Sequence, residues 1–233
     1  GSGSKEMAEQ GTQAAVLFAD VSGSTKLYET AGDQVAKAAI DQCIVIMREK
    51  TLAAKGQVIK TIGDEVMSTF PSADAAADAA IEMQSAIMEL KPVGNTKIGI
   101  RIGFNYGPIV LADGDIFGDA VNVASRLSHV AVKGQIITAR DTVMQMAPML
   151  KSATRKITAI QIKGKAAEVE VYELMWQQSE DATTMAAARS VYKPKKTKLR
   201  LVLQGKEHLL EDDVTAVSMG RDAAADLVIT DRM

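Results

Sequence analysis

Apolar residues fill both parities of AAVLFADV (14–21), the pattern of a strand covered on both faces. The run ends on an acid, Asp20, and the small polar stretch Ser22, Gly23, Ser24, Thr25 follows it. From 24 to 54 the period becomes helical, broken near Gly32, with Val35, Ala39, Cys43 and Met47 on one stripe. GQVIKTIGDEVMSTF reads as two short β runs pivoting on Gly63 and Asp64, a hairpin. SADAAADAAIEMQSAIMELKP predicts a helix, with Ser72 or Asp74 as its cap and Pro92 beyond its end. In KIGIRIGFNYG, Ile98, Ile100, Ile102 and Phe104 alternate with Lys97, Gly99, Arg101 and Gly103, which predicts a half-buried strand. After PIVLA come a glycine-bearing loop, a helix over about 119–131, the strand GQIITA, a short helix and a β-rich section ending near Trp176. This order predicts an α+β fold, helices lying over an antiparallel-rich sheet.

Composition narrows the class. With 47% hydrophobic and 24% charged residues in 233, the chain is globular, with room for one sizeable domain and a smaller piece. Its 27 basic and 29 acidic residues are mixed along the chain, so neither a nucleic acid nor an acidic membrane surface is an expected partner. The single cysteine, Cys43, lies in an apolar-periodic stretch and reads as a core residue of a reducing compartment, which predicts a cytoplasmic location. No apolar run approaches the roughly 18 residues of a membrane span, and there is no signal-peptide pattern. The opening GSGS reads as a cloning scar, so that residues 1–11 are set apart from the fold.

Asp20 is open to two readings. A carboxylate at the tip of a buried strand is either part of the turn that caps the next helix or a metal ligand. Asp64, at the tip of a hairpin lying beside the first strand, would bring a second carboxylate close. Two such groups repel each other when unpaired, and become ligands for a hard cation such as Mg²⁺ when one is bound. Backbone N–H groups of Ser22 to Thr25, at a helix start, would then form an anion pocket, although the P-loop pattern is absent. Asn122 and Arg126 are four apart on a helix whose other side carries Val121, Val123, Ala124 and Leu127. They read either as a solvated face or as a pair aimed at a sugar and a phosphoryl oxygen.

Taken in order, FADVSGST, VIKTIGDEVM, RIGFNYGPIV and DIFGDAVNVASRL resemble the successive motifs of the class III nucleotide cyclases, over about residues 14–175. The resemblance implies a ferredoxin-like catalytic fold for residues 12–176. It also implies ring closure of a nucleoside triphosphate to a 3′,5′-cyclic monophosphate with release of pyrophosphate. By the same resemblance, Asp20, Asp64 and the Val21 carbonyl would hold two Mg²⁺ or Mn²⁺ ions. Asn122 would position the ribose, Arg126 would neutralise charge at the α-phosphate, and Lys165 would meet the triphosphate. Lys60 and Asp115 match the positions that read the purine, and an ammonium donor with a carboxylate acceptor complements adenine, whereas guanine reverses that edge. ATP is thus the implied substrate, and a homodimer with sites shared between subunits the implied assembly. Glu65 stands where the family frequently has glycine, and Asp115 where many bacterial relatives have threonine.

From Gln177 to about Thr197 the pattern dissolves into a polar, then basic stretch that reads as a linker. Residues 198–233 resemble the start of a forkhead-associated domain, an all-β sandwich. SMGRDAAADLVITD is similar to its phosphothreonine loop, and Arg221 is the matching arginine. The intact module would bind a phosphothreonine protein; its second half is missing here. Three other functions are weighed against an adenylyl cyclase: a guanylyl cyclase, a non-catalytic sensor on the same fold, and a phosphopeptide adaptor.

Overall fold

The computed structural model describes residues 12–177 and short strands at 199–203, 206–210, 219–220 and 227–228. The chain divides between Gln177 and Gln178 into two compact units. In chain order the first contains β1 (Thr12–Ser22), α1 (Ser24–Ala31), α2 (Asp33–Ala53), β2 (Gln57–Ile62), β3 (Glu65–Phe70), α3 (Ala73–Met88), β4 (Gly99–Ala112), β5 (Asp115–Phe117) and α4 (Asp119–Val130). There follow β6 (Ile136–Ala139), α5 (Arg140–Val143), α6 (Pro148–Ser152), β7 (Thr154–Ile160) and β8 (Val169–Leu174). The strands form one sheet in the order β2-β3-β1-β4-β6-β8-β7, with β5 folded back on β4. Within this sheet only the β4–β6 pairing is parallel.

The apolar parities of β1 explain its central place. Ala14, Val16 and Phe18 pack with Ala120 and Ala124 of α4, while Ala15, Leu17 and Ala19 on the opposite parity are fully buried as well. Helices α2 and α3 pack on β1 and β3, so both sides of the strand are dry. Ser72 caps α3, its hydroxyl accepting from the Ala75 N–H at 3.1 Å. Cys43 is fully buried, and burial pushes its thiol up to about 11, as suits a core residue.

Two expectations need correction. Val35 is 52% exposed, and the buried stripe of α2 runs instead through Ala36, Ala39, Ile40, Cys43 and Met47. The helix starts just before it, at Asp33, and at 3.6 residues per turn repeated steps of four drift round the helix, so that Ala36 and not Val35 lies on the buried stripe. Strand β4 is covered on both sides over much of its length, since Gly103, Asn105 and Gly107 are buried along with the isoleucines. Gly103 is what allows this. A Cβ there would stand 2.1 Å from the Ser128 backbone nitrogen and 2.6 Å from the Leu127 carbonyl carbon, so α4 rests directly on the strand backbone. In the second unit, β9 (Leu199–Leu203) and β10 (Lys206–Leu210) form an antiparallel hairpin, and β11 (Met219–Gly220) pairs in parallel with β12 (Leu227–Val228). Residues 1–11, most of the linker and Arg221 lie outside the described residues.

Because the atoms met at Gly103 are backbone, Gly103→Ala should destabilise the domain by about 3 kcal/mol and shift α4. Urea denaturation measures the loss; a variant as stable as the parent would contradict the close approach.

Candidate active site

The register of the three central strands assembles the acidic end of the sheet. Asp20 on β1 lies directly across from Glu65 on β3 and from Arg101 on β4, so all three share a face of the sheet. Asp64 occupies the β2–β3 turn, and its carbonyl accepts the Val21 N–H at 3.2 Å, which ties the turn to the end of β1. One cavity of about 450 Å³ is lined by Asp20, Val21, Ser22, Gly23, Ser24, Thr25, Asp64 and Arg101, with Ala131 and Val132. Gly23, at φ 74°, lies in the left-handed region that lets the chain turn from β1 into α1. No side chain caps α1, so the capping reading of Asp20 does not hold.

Arg101 was not singled out by the sequence. Its Nε and Nη2 both donate to Asp20 Oδ2, at 3.1 and 2.9 Å. A charged residue amid the isoleucines of β4 was the available signal. Burial pushes the Asp20 carboxyl above its ordinary range, Arg101 pulls it down, and the neighbouring Asp64 carboxyl pushes it up again. Glu65 is raised to about 6, by burial first and then by the Asp20 charge, against the pull of Arg101. Among the described residues no three His, Cys, Asp or Glu side chains converge as a metal cluster. Two crowded carboxylates offset by a single guanidinium are nonetheless hard oxygen donors short of positive charge, and they fit a divalent ion that completes its shell from main-chain and nucleotide oxygens.

Lys60 and Asp115 meet across the β2–β5 gap, Nζ to Oδ2 at 2.8 Å. A bulge in β2 between Val58 and Lys60 inserts Ile59, which packs against the core cluster containing Met67, while Lys60 itself pairs in register with Met67. The Lys60 ammonium and the Ile116 N–H hold the Asp115 carboxyl below its usual range.

Asn122 and Arg126 line a second cavity, of about 620 Å³, with Ser125, His129, Gln161, Ile162 and Lys163. The apolar side of α4 is buried through Ala120, Val123, Ala124 and Leu127, which turns Asn122 and Arg126 outward. This cavity and the acidic one share no lining residue. Lys165 is not in its wall; its Nζ donates to Asp119 Oδ2 at 2.7 Å, in the first turn of α4. Lys163, His129 and Gln161 had not been anticipated, and nothing in their spacing marked them.

A model of the adenylate and guanylate cyclase catalytic domain matches residues 6–176. The adenylate cyclase of Streptomyces coelicolor is 30% identical over 123 residues, which are 53% of this chain and 31% of that protein. The solved adenylate/guanylate cyclase/hydrolase of Silicibacter pomeroyi is 31% identical, with a TM-score of 0.61 over 70% of this chain and 96% of that one. The catalytic core of a rhodopsin-guanylyl cyclase with converted specificity, in complex with ATPαS, shares the fold, with a TM-score of 0.64 at 23% identity over 71% of this chain and 96% of that one. The chain belongs to the adenylate and guanylate cyclase catalytic domain family. It spans about a third, or less, of the length of the curated relatives it matches. No helix among the described residues is long and apolar enough to cross a membrane.

The raised Glu65 carboxyl gives a pH prediction for the metal-free protein. Its folded value of about 6 exceeds the ordinary 4.5, so its contribution to stability is fully present below about pH 4.5 and is lost as pH rises through about 6. Urea denaturation in chelator should therefore show stability falling across this window, and Glu65→Gln should flatten the fall. An unchanged slope in the variant would contradict the assignment.

Proposed function

We propose that the domain is an adenylyl cyclase, converting ATP to 3′,5′-cyclic AMP and pyrophosphate in a reducing, cytoplasmic compartment. The observation that carries this reading is the convergence of Asp20, Asp64 and the Ser22–Thr25 turn on one cavity. Asp20, Asp64 and the Val21 carbonyl would hold two Mg²⁺ or Mn²⁺ ions. When bound, the ions supply acidity to the ribose 3′-hydroxyl and positive charge beside the phosphates.

The chain's own groups do the rest. Backbone N–H groups of Ser22 to Thr25, at the start of α1, cradle the phosphates. Asn122 orients the ribose, so that the 3′-oxygen stands in line with the α-phosphorus and the leaving pyrophosphate. The bond from that oxygen to phosphorus forms as the bond to the bridging oxygen breaks, and the hydroxyl proton passes to water. Arg126 neutralises the charge that develops at the α-phosphate, and such stabilisation is where most of the acceleration should come from. Lys165, released from Asp119, reaches the triphosphate.

The Lys60–Asp115 pair favours adenine over guanine. Its donor and acceptor are already side by side, and opening the pair toward N1 and the N6 amino group satisfies both. Because the acidic cavity and the Asn122–Arg126 cavity are separate within one chain, we assign them to opposite halves of a composite site in a homodimer. The tail is read as the start of a forkhead-associated module, with Arg221 as its phosphate-binding arginine and a phosphothreonine protein as the partner of the intact module.

Incubating the purified chain with ATP or GTP and Mg²⁺ or Mn²⁺, and identifying the product by chromatography, tests the reading. Cyclic AMP should form from ATP only with metal, and Asp20→Ala or Asp64→Ala should reduce turnover at least a hundredfold (order of magnitude from removing a group that positions transition-state charge). Equal or faster turnover of GTP would overturn the role given to Lys60 and Asp115.

A further inference from the structure

Arg101 reaches from β4 across to β1, and both of its hydrogen bonds fall on a single oxygen of Asp20. The side chains of Asp20 and Arg101 are 13% and 31% exposed, so the pair is shielded more than a surface ion pair and its attraction is correspondingly less screened. Asp64 and Glu65 add two more acids at this end of the sheet, Glu65 directly across from Asp20 and Asp64 in the turn tied to the end of β1. Among the described residues Arg101 is the cation paired with Asp20. The guanidinium therefore stands where a metal's charge is wanted.

The two cations are hard to accommodate together. At comparable distances a divalent ion beside Asp20 repels the guanidinium about twice as strongly as the single carboxylate charge attracts it. The guanidinium also has somewhere to go, because Arg101 lines the same cavity as the N–H groups of the Ser22–Thr25 turn, where an anion would lie.

We propose that Arg101 is a stand-in cation. In the metal-free protein it holds Asp20 in place and offsets the crowded carboxylates; when a divalent ion binds, the Asp20–Arg101 pair opens and the guanidinium turns into the anion-binding part of the cavity. The inference rests on the reading of Asp20 and Asp64 as metal ligands. Metal binding without nucleotide is weakened by the cost of opening the pair. Metal and a polyphosphate anion assist one another, since both favour the open form.

The exchange is read directly on the intact chain by ¹⁵N NMR of the arginine Nε–H groups. Without metal, the Arg101 signal, assigned by its loss in Arg101→Lys, should exchange slowly with water. Saturating Mg²⁺ should move it to the position and exchange rate of an exposed arginine, at a midpoint equal to the calorimetric Mg²⁺ affinity, and Asp64→Asn should abolish the shift. In Arg101→Gln, Mn²⁺ binding followed by electron paramagnetic resonance should tighten about three- to tenfold. An Arg101 signal that keeps its position and protection while Mg²⁺ saturates an Asp64-dependent site would overturn the exchange and leave the metal site standing. Absence of any Asp64-dependent Mg²⁺ binding would overturn both.

Discussion

Asp20 sits at the end of the central strand, on a sheet face it shares with Glu65 on one neighbour and Arg101 on the other, with Asp64 in the turn just beyond. A carboxylate in that position is costly unless positive charge reaches it, and the cost is visible in the raised Asp20 and Glu65 carboxyls. The rest of the domain is built to hold that charge in place. Strand β1 is buried on both sides, so a one-residue slip would carry Leu17 and Phe18 onto each other's faces of a close-packed core and move Asp20 off its own. The Val21 N–H to Asp64 carbonyl bond locks the hairpin to it. A fold that keeps two acids together without a full set of counter-charges is a fold suited to receive a cation.

Helix α4 carries the residues assigned to the other half of the proposed site. Its small buried residues, and the bare backbone at Gly103, let it lie against β4 with Asn122 and Arg126 facing away from the sheet. The cavity they line is not the acidic one. Two cavities in one chain, one rich in acids and backbone donors and the other in basic and amide side chains, differ in the way the proposed pairing with a second copy requires. Lys60 and Asp115 satisfy each other across the β2–β5 gap, and in the proposed reading a purine edge with the matching donor and acceptor takes the place of that pair.

Much of this was legible in the sequence because the signals were local or periodic. The double apolar parity of 14–19 announced a strand covered on both sides, Gly63 and Asp64 marked the hairpin, and the four-residue step from Asn122 to Arg126 put both on one helix side. What escaped depends on register between distant segments. The partner of Asp20 lies 81 residues away, and only the β1–β4 pairing reveals it. Gly103 read as part of the uncovered side of a half-buried strand because a close approach leaves no pattern in the strand itself. The bulge at Ile59 and the Lys165–Asp119 pair are likewise products of how elements meet.

The central claim, that acids from one copy and Asn122 and Arg126 from another make one site, is tested most directly by mixing two inactive variants, Asp20→Ala and Arg126→Ala. Each homodimer lacks one half of every site, whereas a mixed dimer has one doubly damaged site and one intact one. With free subunit exchange about half the dimers are mixed, so cyclase activity should recover to roughly a quarter of the parent level. Activity that stays at the level of the separate variants, with exchange demonstrated by native mass spectrometry, would contradict the shared site.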